Sequence, residues 1–186
     1  MVEATYYERA DGDLKQQYDL ANQQMQLGRL DQAVDRLSRI ISQEPGFAPA
    51  YNKLGVAEIA RGDRSAAEHW FERALEVDGR YAPALANLGN LALERREYGT
   101  AHELYVQALD ADGECGSAHQ NLAVVLQHQG RHHEAVRHLR IARRRMRRPT
   151  GYYITARSRI EHHNRWYLIG VIVAVIFGFI YWVSRW

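Results

Sequence analysis

The sequence predicts an all-α protein that consists of a helical repeat array followed by one C-terminal transmembrane helix. Two observations lead to this prediction. Apolar and small residues recur every 34 positions between residues 14 and 149, and residues 166–184 contain no Asp, Glu, Lys, Arg or His. The single cysteine, Cys115, cannot form an internal disulfide, which is typical of a reducing compartment.

The repeat begins after a lead-in of residues 1–13 and fills four units without a gap: 14–47, 48–81, 82–115 and 116–149. In each unit a leucine is followed by a small residue, as in Leu20-Ala21, Leu54-Gly55, Leu88-Gly89 and Leu122-Ala123. An alanine follows thirteen positions after that leucine, at Ala33, Ala67, Ala101 and Ala135. A large apolar or aromatic residue follows after seventeen, at Leu37, Phe71, Tyr105 and Leu139.

This pattern resembles the tetratricopeptide repeat, a helix-turn-helix of 34 residues. The resemblance implies a right-handed solenoid of four such repeats, in which the first helix of each hairpin lines the concave face. Each hairpin has an apolar face that only its neighbours can bury, so stacking creates the core. The departures are mild, with Gln17 at a position where the family prefers an aromatic residue and Arg96 where the turn glycine normally stands.

The next segment, residues 150–165, is predicted to be a capping and juxtamembrane helix. The run Pro149-Thr150-Gly151 ends the fourth repeat, and Thr150 can cap a new helix. That helix would place Tyr153, Ala156 and Ile160 on the exposed end of repeat 4.

Residues 166–184 are predicted to span a membrane. At about 1.5 Å per residue a helix of this length measures about 28 Å, close to the thickness of the hydrocarbon core. Aromatic residues occupy both of its ends, at Trp166, Tyr167, Tyr181 and Trp182, as in interfacial belts. The alternative is a helix buried in a soluble core, although such helices are rarely apolar on every face.

Small residues recur every four positions within this span, at Gly170, Ala174 and Gly178, and therefore share one face. Such a face lets transmembrane helices approach closely, so it predicts homo- or hetero-association through the anchor. The alternative is an anchor without a packing role, because Gly and Ala are common in transmembrane helices.

Charge divides the chain into an acidic and a basic part. Residues 1–113 carry 12 Lys+Arg against 19 Asp+Glu, whereas residues 114–186 carry 12 against 3. Basic residues beside a span favour the cytoplasmic side, so we expect a single-pass protein with its repeats facing the cytoplasm. Anionic lipid headgroups are the predicted partner of one arginine cluster; a plain solvated face is the alternative, and nucleic acid is not expected. That cluster consists of Arg143, Arg144, Arg145, Arg147 and Arg148.

The sequence offers no catalytic constellation and no cofactor motif. It lacks a phosphate-binding glycine loop, a nucleophile elbow and a helical metalloprotease motif. Histidines cluster in repeat 4, but Gly130 separates His128 from His132 at a predicted turn, so no metal site is expected there. The remaining members of this cluster are His133 and His138. We therefore expect a binding protein and not an enzyme.

The resemblance implies a peptide groove along the first helices. Its candidate residues are Lys15, Tyr18, Asn22, Asn52, Lys53, Val56, Asn87, Asn90, Gln120, Asn121 and Val124. Amide side chains can both donate to and accept from an extended peptide backbone. The alternative is that these amides tolerate solvent or bond to a neighbouring repeat. A chaperone-type carboxylate clamp is not expected, because Asn22 fits that pattern but Tyr18 and Lys53 do not.

Together these features predict a membrane-anchored adaptor that binds a protein or peptide partner on its concave face. The alternative is a structural subunit or assembly factor of a membrane complex. Such a subunit would associate through the transmembrane helix and the convex face.

Overall fold

A computed structural model describes Tyr6 and residues 12–145 of the 186-residue chain. The chain divides into two compact units, residues 1–154 and 155–186, and all described residues lie in the first. From residue 12 to residue 145 there are eight α-helices and no strand. The helices are α1 (Gly12–Gln26), α2 (Leu30–Gln43), α3 (Ala48–Arg61), α4 (Arg64–Val77), α5 (Ala82–Glu94), α6 (Tyr98–Ala111), α7 (Gly116–His128) and α8 (His132–Arg145).

The helices form four consecutive hairpins, α1–α2, α3–α4, α5–α6 and α7–α8, and each hairpin packs against the next. The second helix of one hairpin contacts the first helix of the following one, and α5 also contacts α7. The predicted all-α solenoid is therefore confirmed for the described residues. Odd-numbered helices are called first helices below, and even-numbered helices second helices.

The turn inside each hairpin places one residue in the left-handed region. Gly28, Gly62 and Gly130 have φ values of 73°, 91° and 76°, and Arg96 has a φ of 62° at the equivalent turn. A side chain at this φ costs about 1–2 kcal/mol relative to the right-handed region. The turn of repeat 3 thus has the same left-handed conformation as the other turns, although Arg96 replaces glycine there.

Helix crossings inside the hairpins explain the small residues of the repeat. A Cβ added at Gly55 would lie 2.4 Å from the Phe71 ring, and one added at Gly89 would lie 2.7 Å from the Tyr105 ring. In repeat 1 the corresponding pair is Ala21 with Leu37. Glycine is therefore found where the facing residue is aromatic, because the ring fills more space at the helix crossing. Alanine is found where the facing residue is leucine.

First and second helices differ in burial. The three inner first helices, α3, α5 and α7, bury most of their residues. Each of the second helices α2, α4 and α6 buries three residues, which are Ala33, Leu37 and Ile40 in α2, Ala67, Phe71 and Ala74 in α4, and Ala101, Tyr105 and Ala108 in α6. The first helices thus form the inner layer of the solenoid.

None of the helices between residues 12 and 145 combines the length and the apolar character that crossing a membrane requires. The predicted capping helix (150–165), the predicted span (166–184) with Gly170, Ala174 and Gly178, and the residues Arg147 and Arg148 lie outside the described residues.

Candidate functional site

Within a unit of 34 residues, the predicted groove residues of the first helices fall mainly into rows that contain one residue per repeat. The fifth-position row contains Tyr18, Asn52, Ala86 and Gln120; the sixth-position row contains Asp19, Lys53, Asn87 and Asn121; and the ninth-position row contains Asn22, Val56, Asn90 and Val124. Lys53, Asn87 and Asn121 are buried, with 8%, 2% and 3% of their surface exposed. Every residue of the ninth-position row is half-buried.

Four of the predicted groove amides bond to each other across the repeats. Asn87 Nδ2 donates to Asn52 Oδ1 at 2.9 Å, which joins α5 to α3. Asn121 Nδ2 donates to Asn90 Oδ1 at 2.6 Å, which joins α7 to α5, and Asn90 Nδ2 lies 3.5 Å from Asn87 Oδ1. These four residues form one connected set, which we call the amide ladder.

The amide ladder corresponds to the alternative named in the sequence analysis, in which groove amides bond to a neighbouring repeat. The Tyr105 hydroxyl also donates to Asn90 Oδ1, at 2.7 Å. Burial is the main reason that the pKa of the Tyr105 phenol lies well above its ordinary value, so this donor keeps its proton at neutral pH. Each amide of the ladder therefore uses at least one of its polar atoms inside the protein, and that atom is less available to a ligand.

Two amides in this region keep buried atoms without a hydrogen bond in the described part of the chain. They are Asn52, through Nδ2, and Asn22, through both Nδ2 and Oδ1. A buried polar group left without a partner costs about 1–3 kcal/mol. These atoms lie on the neighbouring first helices α1 and α3.

An aromatic cluster lies at the start of the inner first helices. The ring of Phe47, just before α3, meets the ring of Tyr18 edge-to-face at a centroid distance of 5.3 Å. Tyr6 meets Phe47 at 5.9 Å and Tyr81, just before α5, at 6.0 Å, both edge-to-face. The Tyr6 hydroxyl donates to Asp78 Oδ2 at 2.9 Å. We call the surface formed by Phe47, Asp78 and Tyr81 the Tyr6 pocket.

Sequence reasoning identified Tyr18 but missed the Tyr6 pocket. Phe47 and Tyr81 occupy the last position of units 1 and 2, and Cys115 takes that position in unit 3. Two aromatic residues at one position of the repeat, next to a groove helix, were the available signal. No sequence signal indicated the contact with Tyr6, because residues 1–13 do not follow the repeat.

The histidines of repeat 4 do not form one group. His128 stacks on Tyr98 at a centroid distance of 4.5 Å, whereas His138 pairs with His119 of α7. Their Nδ1 atoms lie 2.8 Å apart, and His119 Nε2 lies 3.3 Å from the Gly113 carbonyl oxygen. His119 therefore donates through Nε2 and accepts at Nδ1, so the Nδ1–H group of His138 is the donor.

Burial is the main reason that the pKa of His119 and that of His138 lie below their ordinary value, so the pair favours the neutral state. No group of three or more His, Cys, Asp and Glu side chains lies close enough to hold a metal ion between residues 12 and 145. Cys115 is buried, and its sulfur accepts from the Ala118 backbone N–H at 3.4 Å.

The described part of the arginine cluster lies at the end of α8. Arg143 and Arg144 are exposed, whereas Arg145 pairs with Glu114. Similar ion pairs connect successive repeats elsewhere, such as Arg64 with Glu94 at 2.7 Å. These pairs are largely exposed and contribute little stability each. Contact between the cluster and lipid headgroups remains a prediction.

Comparisons with known proteins agree with the geometry of the repeats. A sequence profile of the tetratricopeptide repeat matches residues 18–83 and 86–149. The crystal structure of MamA is similar, with a TM-score of 0.58 and 22% identity over 77% of this chain and 84% of that chain. The structure of pilF from Pseudomonas aeruginosa has a TM-score of 0.64 and 21% identity over 83% of this chain and 70% of that chain.

A third similar structure is a chain of the APC/C hetero-tetramer Cut9–Hcn1. Its TM-score is 0.60, with 23% identity over 72% of this chain and 27% of that chain. At these identities the similarity concerns the fold alone. No curated protein sequence matches the chain.

Proposed function

Because the chain belongs to the tetratricopeptide repeat family, a family of protein-interaction scaffolds, we propose that it is a membrane-anchored adaptor. In this proposal the first helices bind a protein or peptide partner on their concave face. The predicted span at 166–184 holds the repeats at the cytoplasmic surface of a membrane. The arginine cluster then lies close to anionic headgroups, which attract basic residues by about 1 kcal/mol each.

The ninth-position row carries the groove part of this proposal. It runs through all four first helices as Asn22, Val56, Asn90 and Val124, and every member is half-buried. Valine offers apolar contact and asparagine offers hydrogen bonds, so the row suits an extended peptide with alternating contacts.

The alternative function is that of a structural subunit of a membrane complex, and a different surface favours it. Val106, Val136 and Leu139, on the second helices α6 and α8, are 38%, 54% and 38% exposed. Apolar side chains exposed on the outer layer are suited to a permanent contact. The two functions therefore assign the partner to different helices.

A pair of matched double variants separates the two surfaces. Val56→Arg with Val124→Arg places two charges in the ninth-position row, and Val106→Arg with Val136→Arg places the same two charges on the second helices. The full chain is captured in mild detergent, washed at high salt, and its partners are identified by mass spectrometry. We expect the first pair to lose at least 90% of the specific partner, because buried charge without a counter-charge is costly at an interface, and the second pair to retain it.

Circular dichroism of both double variants serves as the control for folding. Loss of the partner only from the pair on the second helices would contradict groove binding and favour the structural subunit.

Anchoring is tested by ending the chain at Arg165. The shortened protein should leave the membrane fraction and keep its helical signal, because the repeats have their own core. A shortened chain that stays with membranes through a high-salt wash would contradict the anchor at 166–184.

A further inference from the structure

Tyr6 lies outside the repeats, and its contacts resemble those of a bound ligand. It packs edge-to-face on Phe47 and Tyr81, and its hydroxyl donates to Asp78 Oδ2 at 2.9 Å. Tyr6 and Asp78 are 72 positions apart in the chain. The ring and the hydroxyl of one side chain are therefore both recognised by groups that the repeats supply.

The walls of the Tyr6 pocket are held by the repeats themselves. Phe47 packs on Tyr18 of α1 and belongs to the core cluster of repeat 1, and Tyr81 belongs to the core cluster of repeat 2. Asp78 directly follows α4, and its other oxygen, Oδ1, accepts from the Arg80 backbone N–H at 3.0 Å, which leaves Oδ2 for the Tyr6 hydroxyl. Tyr6 itself is only half-buried. Tyr6 therefore fills a site whose walls come from the repeats, and part of its own side chain stays exposed.

We propose that Phe47, Asp78 and Tyr81 form a subsite for a tyrosine side chain of the partner, and that Tyr6 occupies this subsite as a tethered competitor. This inference rests on the proposed function, because the subsite adjoins the first helices that bind the peptide. The partner class is a peptide segment that carries an unmodified tyrosine. Such a segment displaces Tyr6 and places its own backbone along α1 and α3.

The chemistry of the pocket defines this specificity. Asp78 accepts a proton donor, and a hydrogen bond to a charged acceptor is worth more than one between neutral groups. Phenylalanine keeps the ring contacts but has no donor. Phosphotyrosine brings about two negative charges next to Asp78, in the part of the chain that carries 12 Lys+Arg against 19 Asp+Glu. The subsite therefore selects tyrosine over both.

The experiment measures binding of a fluorescent synthetic peptide with the sequence of residues 1–11 to the full chain in mild detergent. Alanine replaces Tyr7 in the peptide and in the variant chains, so that this second tyrosine cannot fill the subsite. A tethered occupant acts at an effective concentration in the millimolar range, so the natural chain should bind this peptide weakly. Tyr6→Ala empties the subsite and should strengthen binding about tenfold. The control variant is Tyr98→Ala, which removes a tyrosine that packs in a different core cluster and should not change binding.

Altered peptides test the specificity. Replacing the tyrosine at position 6 of the peptide with phenylalanine should weaken binding to the Tyr6→Ala chain about tenfold, through loss of the bond to Asp78. The phosphorylated peptide should not bind. Adding Asp78→Ala to the Tyr6→Ala chain should remove the preference for tyrosine over phenylalanine.

Several results would overturn the inference. If the Tyr6→Ala chain does not bind the peptide, or loses its helical signal, Tyr6 is a structural residue and no exchangeable subsite exists. If the natural chain forms a dimer that Tyr6→Ala abolishes, Tyr6 occupies the pocket of a second copy and is not a competitor in the same chain. The matched valine variants test groove binding without Tyr6, so either idea can fail alone.

Discussion

First and second helices of the same repeat differ in how many of their residues are buried. In repeat 2, ten of the 14 residues of α3 are buried, against three of the 14 residues of α4. Repeat 3 shows the same contrast, with nine of 13 in α5 and three of 14 in α6. The first helices α3 and α5 are enclosed by their own hairpins and by both neighbouring repeats, whereas α4 and α6 keep one face in solvent.

This difference decides what polar residues can do. Asn52 and Asn87 are almost fully buried on first helices, and they bond to each other because a buried amide without a partner is costly. Many polar residues of the second helices are exposed, and some form exposed ion pairs, such as Arg73 with Glu76. In the proposed function, ligand recognition on the first helices therefore uses the positions that are not fully buried, chiefly the ninth-position row.

The largest expected effect on the free energy of unfolding comes from replacing glycine with alanine on a first helix and on a second helix. Gly55→Ala or Gly89→Ala forces a methyl group into a buried ring, and we expect a loss of about 2–3 kcal/mol in the free energy of unfolding. Gly99→Ala on α6 meets no atom within 4 Å and should stabilise the protein by about 0.5–1 kcal/mol through helix propensity. Urea unfolding followed by circular dichroism measures both. Equal signs for the two substitutions would contradict the layer assignment.

The amide ladder predicts a graded loss of stability. Asn87→Ala removes the bond to Asn52 Oδ1, so we expect about 2 kcal/mol of destabilisation. Asn121→Ala leaves Asn90 Oδ1 bonded to the Tyr105 hydroxyl and should cost about 1 kcal/mol. The same unfolding measurement checks the order. If neither variant loses stability, the ladder does not bind the repeats together, and these amides are available to a ligand.

A smaller effect is expected at the turn of repeat 3. Arg96 has a φ of 62°, so Arg96→Gly should relieve the strain and stabilise the protein by about 0.5–1 kcal/mol after the entropy cost of glycine. The matched reverse change, Gly62→Ala at a φ of 91°, should destabilise it by about 1 kcal/mol. Thermal unfolding measures both variants. A destabilised Arg96→Gly variant would indicate that the Arg96 side chain makes a contact that outweighs its backbone strain.

The histidine pair that joins the two layers in repeat 4 predicts a pH dependence. The pKa of His119 and that of His138 are lowered in the folded state, mainly by burial, whereas the pKa of a histidine in the unfolded chain is about 6.5. The unfolded chain then binds more protons as the pH falls below that value, so stability is full above it and decreases below it. His138→Gln should flatten this slope in urea unfolding between pH 7 and pH 5. An unchanged slope would show that the pair does not titrate as described.

The repeat and its helices could be predicted because they depend on residues at fixed spacing. Gly55 and Phe71 occupy positions set by the 34-residue period, and so does the turn at Arg96. For the groove amides the sequence left bonding to a neighbouring repeat as an alternative, and it could not decide for that alternative, because the burial of Asn87 and its bond to Asn52 depend on the packing of α5 on α3. His119 was missed because its partner His138 is 19 residues away and on the other layer. Tyr6 belongs to a lead-in with no periodicity, so only the structure places it on Phe47 and Tyr81.

Site-specific photo-crosslinking in native membranes shows whether the partner binds the first helices. A photoreactive phenylalanine analogue is introduced at Val56 or Val124 in the ninth-position row, and at Val106 or Val136 on the second helices, with equal expression of all four chains. We predict that adducts with a partner form from positions 56 and 124 and are absent from positions 106 and 136. Adducts that form only from positions 106 and 136 would show that the partner binds the second helices and would contradict binding in the groove.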